Sequence, residues 1–313
     1  MIPTRDDVLA ARESLGDRLH RTPVLSSATL SRLTGARVFV KAELFQRTGS
    51  FKPRGILCKV DSLSAEEKER GVISISAGNA AQAVAWASAE VGADALVVMW
   101  QGVSEQKIEA TRGYGATVDL EAANPTEAFE RLHQLAEETG RAIVHPYDDP
   151  LVIAGQGTVG LEIVEDVPDA AVIVAPIGGG GLVSGVALAT DARVVGVEPE
   201  LSAAMHEALA AGKPVPVQPA SIADGLSAPI AGETTLAVSQ ERDVESVLVT
   251  DEEIEEGMRF LYERAKLACE PAGAVSTAAL LAGKVAFDPG ESVVTVVSGG
   301  NVATQTAVAI LGS

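Results

Sequence analysis

The stretch from Ala171 to Thr190, AVIVAPIGGGGLVSGVALAT, is the most informative segment of the chain. Its first seven residues are apolar and rich in β-branched side chains, as in a buried strand, and the residues after the glycines predict a helix. Four consecutive glycines allow a ligand to approach the backbone closely, and the helix N-terminus behind them favours an anion. The segment therefore predicts a phosphate-binding turn, with a purely structural turn as the alternative. It is not a Walker loop, because no Gly-Lys-Ser/Thr follows.

The same alternation of strand and helix continues along the chain and predicts a doubly wound α/β fold. The predicted strands are Arg37–Lys41, Val72–Ser76, Ala95–Met99, Ala116–Leu120, Ala142–His145, Val172–Pro176, Arg193–Glu198, Glu245–Val249 and Ser292–Val297. The predicted helices are Asp6–Leu15, Pro53–Leu63, Ala80–Val91, Glu105–Tyr114, Pro125–Glu138, Gly157–Asp166, Leu182–Ala189, Asp251–Lys266, Gly273–Ala282 and Ala303–Ile310. Ligands of such sheets bind at the carboxyl ends of the strands.

The chain is strongly acidic. Its 313 residues, enough for about two domains, include 43 Asp and Glu against 24 Lys and Arg, which gives a net charge of −19. Such a surface repels phosphate backbones and anionic lipids, so we expect neither nucleic-acid nor membrane binding. Of the cations, 16 are Arg and 8 are Lys. Excess carboxylate with few lysines is typical of proteins from high-salt cells, while ordinary solubilising charge is the alternative.

Several other classes of protein are disfavoured. Cys58 and Cys269 form no disulfide framework, and the four histidines have no zinc-ligand spacing. The N-terminal segment has no apolar signal-peptide core. The uncharged runs at 170–190 and 292–313 are long enough for membrane spans, but both contain glycine clusters that a lipid-embedded helix does not tolerate. We therefore expect a soluble, cytoplasmic protein.

Lys52 is the first candidate for a reactive side chain. It lies in GSFKPRG, which runs from Gly49 to Gly55. Pro53 suits the first position of a helix and restricts the residue before it, so Lys52 lies on a fixed turn with its amine free to project. An isolated lysine is ordinarily a solvated surface charge. A lysine desolvated beside an anion site, however, can form a Schiff base with a carbonyl group.

Five motifs together resemble one family. They are GSFKPRG, SAGN at Ser76–Asn79, HPYDDPLVIAGQGTVGLEI at His145–Ile163, the glycine turn, and SGGN at Ser298–Asn301. Their order is that of the serine/threonine dehydratase family of fold-type II pyridoxal-phosphate enzymes, over nearly the whole chain. The resemblance implies a tryptophan-synthase-β-like fold with two doubly wound open-sheet domains, the smaller inset in the larger. The large domain would comprise 1–50 and 146–313, and the small, substrate-closing domain 51–145.

The resemblance also implies roles for individual residues. Lys52 matches the Schiff-base lysine and is the predicted catalytic residue. The residues that would bind pyridoxal 5'-phosphate are Phe51, Lys52, Asn79 (ring hydroxyl), Gly178, Gly179, Gly180, Gly181 and Leu182 (phosphate), Glu270 (ring edge) and Ser298 (pyridine nitrogen). For Glu270, a helix-terminal surface carboxylate is the alternative. The residues that would bind the substrate carboxylate are Ser76, Ala77, Gly78 and Asn79.

The activity implied is β-elimination from L-threonine, L-serine or both, which yields 2-oxobutanoate or pyruvate and ammonia. The alternatives are racemisation, β-replacement or dehydration of another β-hydroxy amino acid on the same scaffold, and a nucleotide-binding protein that is not an enzyme. Ala77 stands where serine racemases carry a serine that exchanges a proton, so we expect elimination to exceed racemisation.

Other departures from the family lead to further expectations. Ala80 stands where many relatives have histidine, so the contacts at the β-carbon of the substrate differ. Glu198 matches a metal-ligand glutamate of serine racemases, but Ala204 replaces the partnering aspartate. We therefore predict no divalent metal, with Glu198 as a candidate ligand for a monovalent cation. No C-terminal regulatory lobe is expected, and we expect a homodimer or homotetramer.

Overall fold

The structure, a computed structural model, describes residues 2–312 and contains two open sheets in that range. The larger sheet has six strands in the order β1-β2-β10-β7-β8-β9, all parallel to their neighbours except β1, and the smaller has four parallel strands in the order β5-β4-β3-β6. The strands are β1 Val24–Ser26, β2 Arg37–Ala42, β3 Val72–Ile75, β4 Ala95–Trp100, β5 Thr117–Ala122, β6 Ala142–Ile143, β7 Ala170–Pro176, β8 Arg193–Pro199, β9 Glu245–Val249 and β10 Ser292–Val297.

Helices cover the sheets. They are α1 Arg5–Leu15, α2 Ala28–Thr34, α3 Pro53–Asp61, α4 Ala65–Arg70, α5 Asn79–Glu90, α6 Glu105–Gly113, α7 Pro125–Thr139, α8 Pro150–Asp166, α9 Gly181–Ala189, α10 Ala204–Ala211, α11 Glu233–Glu241, α12 Asp251–Phe260, α13 Pro271–Leu281 and α14 Thr304–Leu311. No helix within 2–312 is long and apolar enough to cross a membrane.

The register of the large sheet positions the site. Strand β10 lies between β2 and β7 and is parallel to both, so the carboxyl ends of all three strands meet at one edge. All residues of β10 are buried, as a strand covered on both faces requires. The glycine turn follows β7, and the 298–301 loop follows β10 at the same edge.

The predicted fold class is confirmed, and all nine predicted strands are present, although β6 is shorter than Ala142–His145. The strands of the smaller sheet lie within 72–143, inside the segment assigned to the small domain. The domain bounds themselves stay a prediction, and their terminal residues Met1 and Ser313 lie outside the described range.

The predicted start of one helix, Gly157, is wrong: α8 begins at Pro150, where the Asp149 carboxylate accepts the first backbone N–H groups. The glycines of α8 have a low helix propensity, so the local sequence disfavours a helix there. In the structure they allow close helix packing, because a Cβ at Gly155 would lie 2.5 Å from the Arg54 carbonyl oxygen. A Cβ at Gly157 would lie 2.7 Å from that of Gly185 in α9.

Other helices also differ from the prediction. The helix predicted over Asp251–Lys266 ends as an α-helix at Phe260 and continues as one π-helical turn, Leu261–Ala265, before Lys266 at φ +60°. The elements that the sequence analysis did not predict are β1, α2, α4, α10 and α11. Four of these five have eight residues or fewer, too few to show a clear hydrophobic period.

Charged side chains are buried where α3 packs on α8, close to the end of β2. Arg54 donates from Nε to Glu43 Oε2 at 2.8 Å and from Nη1 to Glu162 Oε1 at 2.7 Å. Lys41 also donates to Glu162, and Thr22 donates to Glu43. Arg54 is only 2 % exposed and Glu43 is fully buried. This buried ionic cluster therefore joins β2, α3 and α8 two residues after Lys52.

We expect Arg54→Met to lower the free energy of unfolding by about 3–5 kcal/mol, because it leaves Glu43 buried without its cation. Arg12→Met is the control, since the Arg12–Glu165 pair is exposed and its loss should cost less than about 1 kcal/mol. Urea unfolding of the two variants measures the difference. Equal losses would show that the buried ionic cluster is not a stabilising unit.

Candidate active site

The Lys52 turn is held at the carboxyl edge of the large sheet. The backbone N–H of Phe51 donates to the Ser298 carbonyl at 3.1 Å, and that of Gly300 donates to Gly49 at 2.9 Å. Pro53 begins α3, as predicted. These bonds join the lysine turn to the 298–301 loop, two segments about 250 positions apart in the chain.

The Lys52 amine lies in a desolvated position. Its Nζ donates to the Pro146 carbonyl oxygen at 3.0 Å and lies 5.1 Å from the centroid of the Phe51 ring. Burial lowers the pKa of Lys52 to about 8, because the charged form loses its hydration. A substantial fraction of the amine is therefore neutral near pH 8 and able to accept a proton or attack a carbonyl group.

The glycine turn forms a cradle, which we define as Gly178–Gly181. Gly180 has φ +97°, a conformation that favours glycine. A Cβ at Gly179 would lie 2.3 Å from the Tyr147 ring, so a side chain larger than hydrogen does not fit there. Gly181 and Leu182 begin α9, and their N–H groups have no partner within the helix. The cradle thus offers backbone donors to a compact anion.

The segment 145–149 closes one side of the cradle. Tyr147 donates its hydroxyl to the Ile230 carbonyl at 3.0 Å. Asp148 accepts three backbone N–H bonds from the first turn of α11, and His145 Nδ1 accepts the N–H of Asp148 at 2.8 Å. None of these residues had a predicted role. A conspicuous HPYDDP directly before a helix was the available signal.

The predicted substrate loop lies at the N-terminus of α5. Ser76 Oγ accepts the Gly78 N–H at 3.2 Å, which fixes the turn before the helix. No side chain caps α5. Its first N–H groups are therefore available to a carboxylate, which the helix dipole also favours. Ala77 presents only a methyl group beside them.

Asn79 and Glu270 meet although 191 positions separate them. Asn79 Nδ2 donates to Glu270 Oε1 at 2.6 Å, and a Cβ at Gly299, next to Ser298, would lie 2.3 Å from that oxygen. Glu270 is 5 % exposed, so it is not the surface carboxylate considered as an alternative. Burial raises the pKa of Glu270 to about 7, and the bond from Asn79 opposes that rise. Ser298 directly follows β10 and is also buried.

Glu198 lies outside this constellation. Its two carboxylate oxygens accept the backbone N–H groups of Met205 and His206 at 2.8 and 2.7 Å, so it caps α10. Burial raises the pKa of Glu198 to about 7. No cluster of three or more metal-ligating side chains occurs among residues 2–312. Both oxygens already accept backbone N–H groups, and the monovalent cation at Glu198 stays a prediction.

We expect Lys52 to become reactive toward an acylating reagent as the pH rises through about 8, because burial lowers its pKa. The measurement is a brief competitive labelling of the ligand-free protein at several pH values, with peptide mass spectrometry. Labelling of the exposed Lys213 serves as the internal reference for reagent decay. The ordinary pKa of lysine is about 10. A Lys52 midpoint at that value or higher would contradict the desolvated environment.

The chain is similar to several known proteins. The family model described as pyridoxal-phosphate dependent enzyme matches residues 16–299. An L-threonine ammonia-lyase from Thermotoga maritima is 43% identical over 305 residues, 96% of this chain and 76% of that protein. A maize serine racemase structure is 34% identical, covers 98% of this chain and 96% of its own, and has a TM-score of 0.94. The processed form of threonine deaminase isoform 2 from Solanum lycopersicum is 32% identical, with coverages of 100% and 96% and a TM-score of 0.91. The chain belongs to the pyridoxal-phosphate dependent enzyme family.

Proposed function

We propose that the protein is a pyridoxal-phosphate dependent ammonia-lyase that converts L-threonine to 2-oxobutanoate and ammonia, and that also acts on L-serine. Identity of 43% with an L-threonine ammonia-lyase, over 96% of the chain, supports the reaction class. The structural observation that carries the proposal is the position of the Lys52 amine. The amine is bonded to Pro146, whose neighbour Tyr147 packs on the glycine cradle.

The residues present fit the cofactor. The glycine cradle would hold the phosphate through backbone N–H groups, because the first N–H groups of α9 have no partner within the helix. Asn79, Glu270 and Ser298 would face the ring, Phe51 would pack beside it, and Leu182 would join the cradle in holding the phosphate. When bound, pyridoxal phosphate withdraws electrons from Cα of the amino acid, and the protein orients the reacting bonds.

Proton transfer would fall to Lys52. Near neutral pH part of its amine is uncharged and can take the proton from Cα of the substrate. The N-terminus of α5 would bind the substrate carboxylate at Ser76–Asn79 and fix the direction in which Cα–H points. Loss of the Cα proton and the β-hydroxyl releases one water. Hydrolysis of the remaining unsaturated amino acid consumes one water, so the net products are a 2-oxo acid and ammonia.

Racemisation is the less favoured alternative. It needs a second proton donor on the face of the substrate opposite Lys52. In the sequence, Ala77 stands at the position where serine racemases carry a serine, and a methyl group exchanges no proton. Elimination then has no competing reprotonation from that side.

Incubation of the loaded enzyme with L-threonine and L-serine should yield the 2-oxo acid and ammonia in equal amounts. Lys52→Ala should lower kcat by at least about a hundredfold, since it removes the proton acceptor. The matched control Lys213→Ala, on the exposed surface, should retain full activity. Chiral chromatography tests the alternative: D-serine accumulating faster than pyruvate would contradict elimination as the main reaction.

We further propose a cytoplasmic, salt-adapted enzyme. Both cysteines are buried free thiols, which suits a reducing compartment. Even if every Lys and Arg side chain paired with a carboxylate, 19 negative charges would remain unpaired. A homodimer or homotetramer is proposed from the family resemblance, and size measurement in solution distinguishes the two.

We expect the melting temperature to rise as KCl is raised from about 0.1 to about 1 M. The Debye length falls from about 10 Å to about 3 Å over that range, which screens the net repulsion. Surface ion pairs weaken as well, but each contributes little. NaCl at the same concentrations controls for a specific effect of potassium. A melting temperature that stays constant or falls as KCl is raised would show that the acidity is ordinary surface charge.

A further inference from the structure

Three side chains and one backbone carbonyl form a polar chain through the site. Asn301 Nδ2 donates to the Thr48 carbonyl oxygen at 2.7 Å and to Asn79 Oδ1 at 2.8 Å. Asn79 Nδ2 then donates to Glu270 Oε1 at 2.6 Å. We call this series, from Thr48 to Glu270, the amide relay. Asn301 has no role among the predicted site residues.

The direction of every bond in the amide relay follows from its first member. A backbone carbonyl only accepts, so Asn301 must turn its NH₂ group toward Thr48. The second hydrogen of the same NH₂ group points at Asn79, which must therefore present its Oδ1. The NH₂ group of Asn79 is left to face Glu270. Without Asn301, the amide of Asn79 could turn over and present oxygen instead.

The anchor of the relay is rigid. Thr48 is buried and has φ +57°, and Gly49 has φ +74°. A Cβ at Gly49 would lie 2.6 Å from Asn301 Oδ1, so the amide of Asn301 sits directly against the backbone. The N–H of Gly300 also donates to Gly49. The contact of its side chain with Gly49 and the hydrogen bond of its neighbour Gly300 therefore both restrict Asn301.

The relay also joins the two sheets. Asn79 begins α5 after β3 of the smaller sheet, whereas Asn301 follows β10 of the larger sheet. The orientation of a side chain on one sheet is therefore set by a residue on the other.

We propose that Asn301 is a positioning residue that fixes the amide of Asn79, so that Asn79 presents an N–H donor to Glu270 and to the ring hydroxyl of the cofactor. The part concerning the cofactor rests on the proposed function. The part concerning Glu270 stands on the hydrogen bonds alone.

The environment of Glu270 makes the orientation measurable. The charged groups facing it are Asp224, from the turn beside α13, and Lys107 of α6, which bonds to Asp224; the Cys269 thiol is adjacent in the chain. A donated N–H from Asn79 favours the carboxylate of Glu270, whereas an inverted amide presents oxygen and favours the protonated acid. Loss of orientation should therefore raise the pKa of Glu270 above its value of about 7.

The test is Asn301→Ala in the full-length protein, with the Glu270 carboxyl carbon followed by ¹³C NMR over a pH titration. We expect the midpoint to rise by about one pH unit, the effect of one hydrogen bond to a carboxylate. Binding of pyridoxal phosphate to the ligand-free variant should weaken about tenfold. Neither measurement requires turnover. Lack of ammonia-lyase activity would therefore overturn the proposed function without overturning the relay.

The matched control is Asn124→Ala. Asn124 caps α7 at the surface, and its loss should lower the melting temperature slightly with no change in the Glu270 titration. If Asn301→Ala does not fold, Asn301→Ser replaces it, because a hydroxyl hydrogen can serve only one of the two acceptors. A Glu270 midpoint that stays at its original pH in the folded variant would overturn the proposal.

Discussion

The buried ionic cluster is the constraint on which the site depends. Arg54 is buried and pairs with both Glu43 and Glu162. Loss of either partner would leave a buried charge unpaired, which lowers the free energy of unfolding. Those partners lie on the segment after β2 and on α8, so the guanidinium fixes how the start of α3 sits on the large sheet. Lys52 is two residues away, and its turn therefore has little freedom to move.

Steric exclusion shapes the opposite side of the site. The ring of Tyr147 occupies the space that a side chain at Gly179 would need, and Tyr147 is itself held by its bond to Ile230. The ring of Tyr147 therefore closes one side of the cradle. Rigid backbone donors need no reorganisation when an anion binds, which is how such turns achieve affinity.

Burial acts on Lys52 and Glu270 in opposite directions. It lowers the pKa of Lys52 to about 8 and raises that of Glu270 to about 7, because desolvation disfavours charge of either sign. Both groups are thus brought near the pH at which a proton can be gained or lost. Perturbed pKa values of this kind cluster at functional sites.

The sequence by itself determined the alternation of strands and helices, the five motifs and hence the family and its cofactor, because these signals are local and recur in order. The start of α8 was predicted wrongly, because the close contact of Gly155 with Arg54 lies between two helices and does not affect local helix propensity. The role of Tyr147 and the amide relay were also decided only by the tertiary structure. Asn301 and Asn79 are 222 positions apart, and a hydrogen bond between them exists only because two sheets bring their carboxyl edges together.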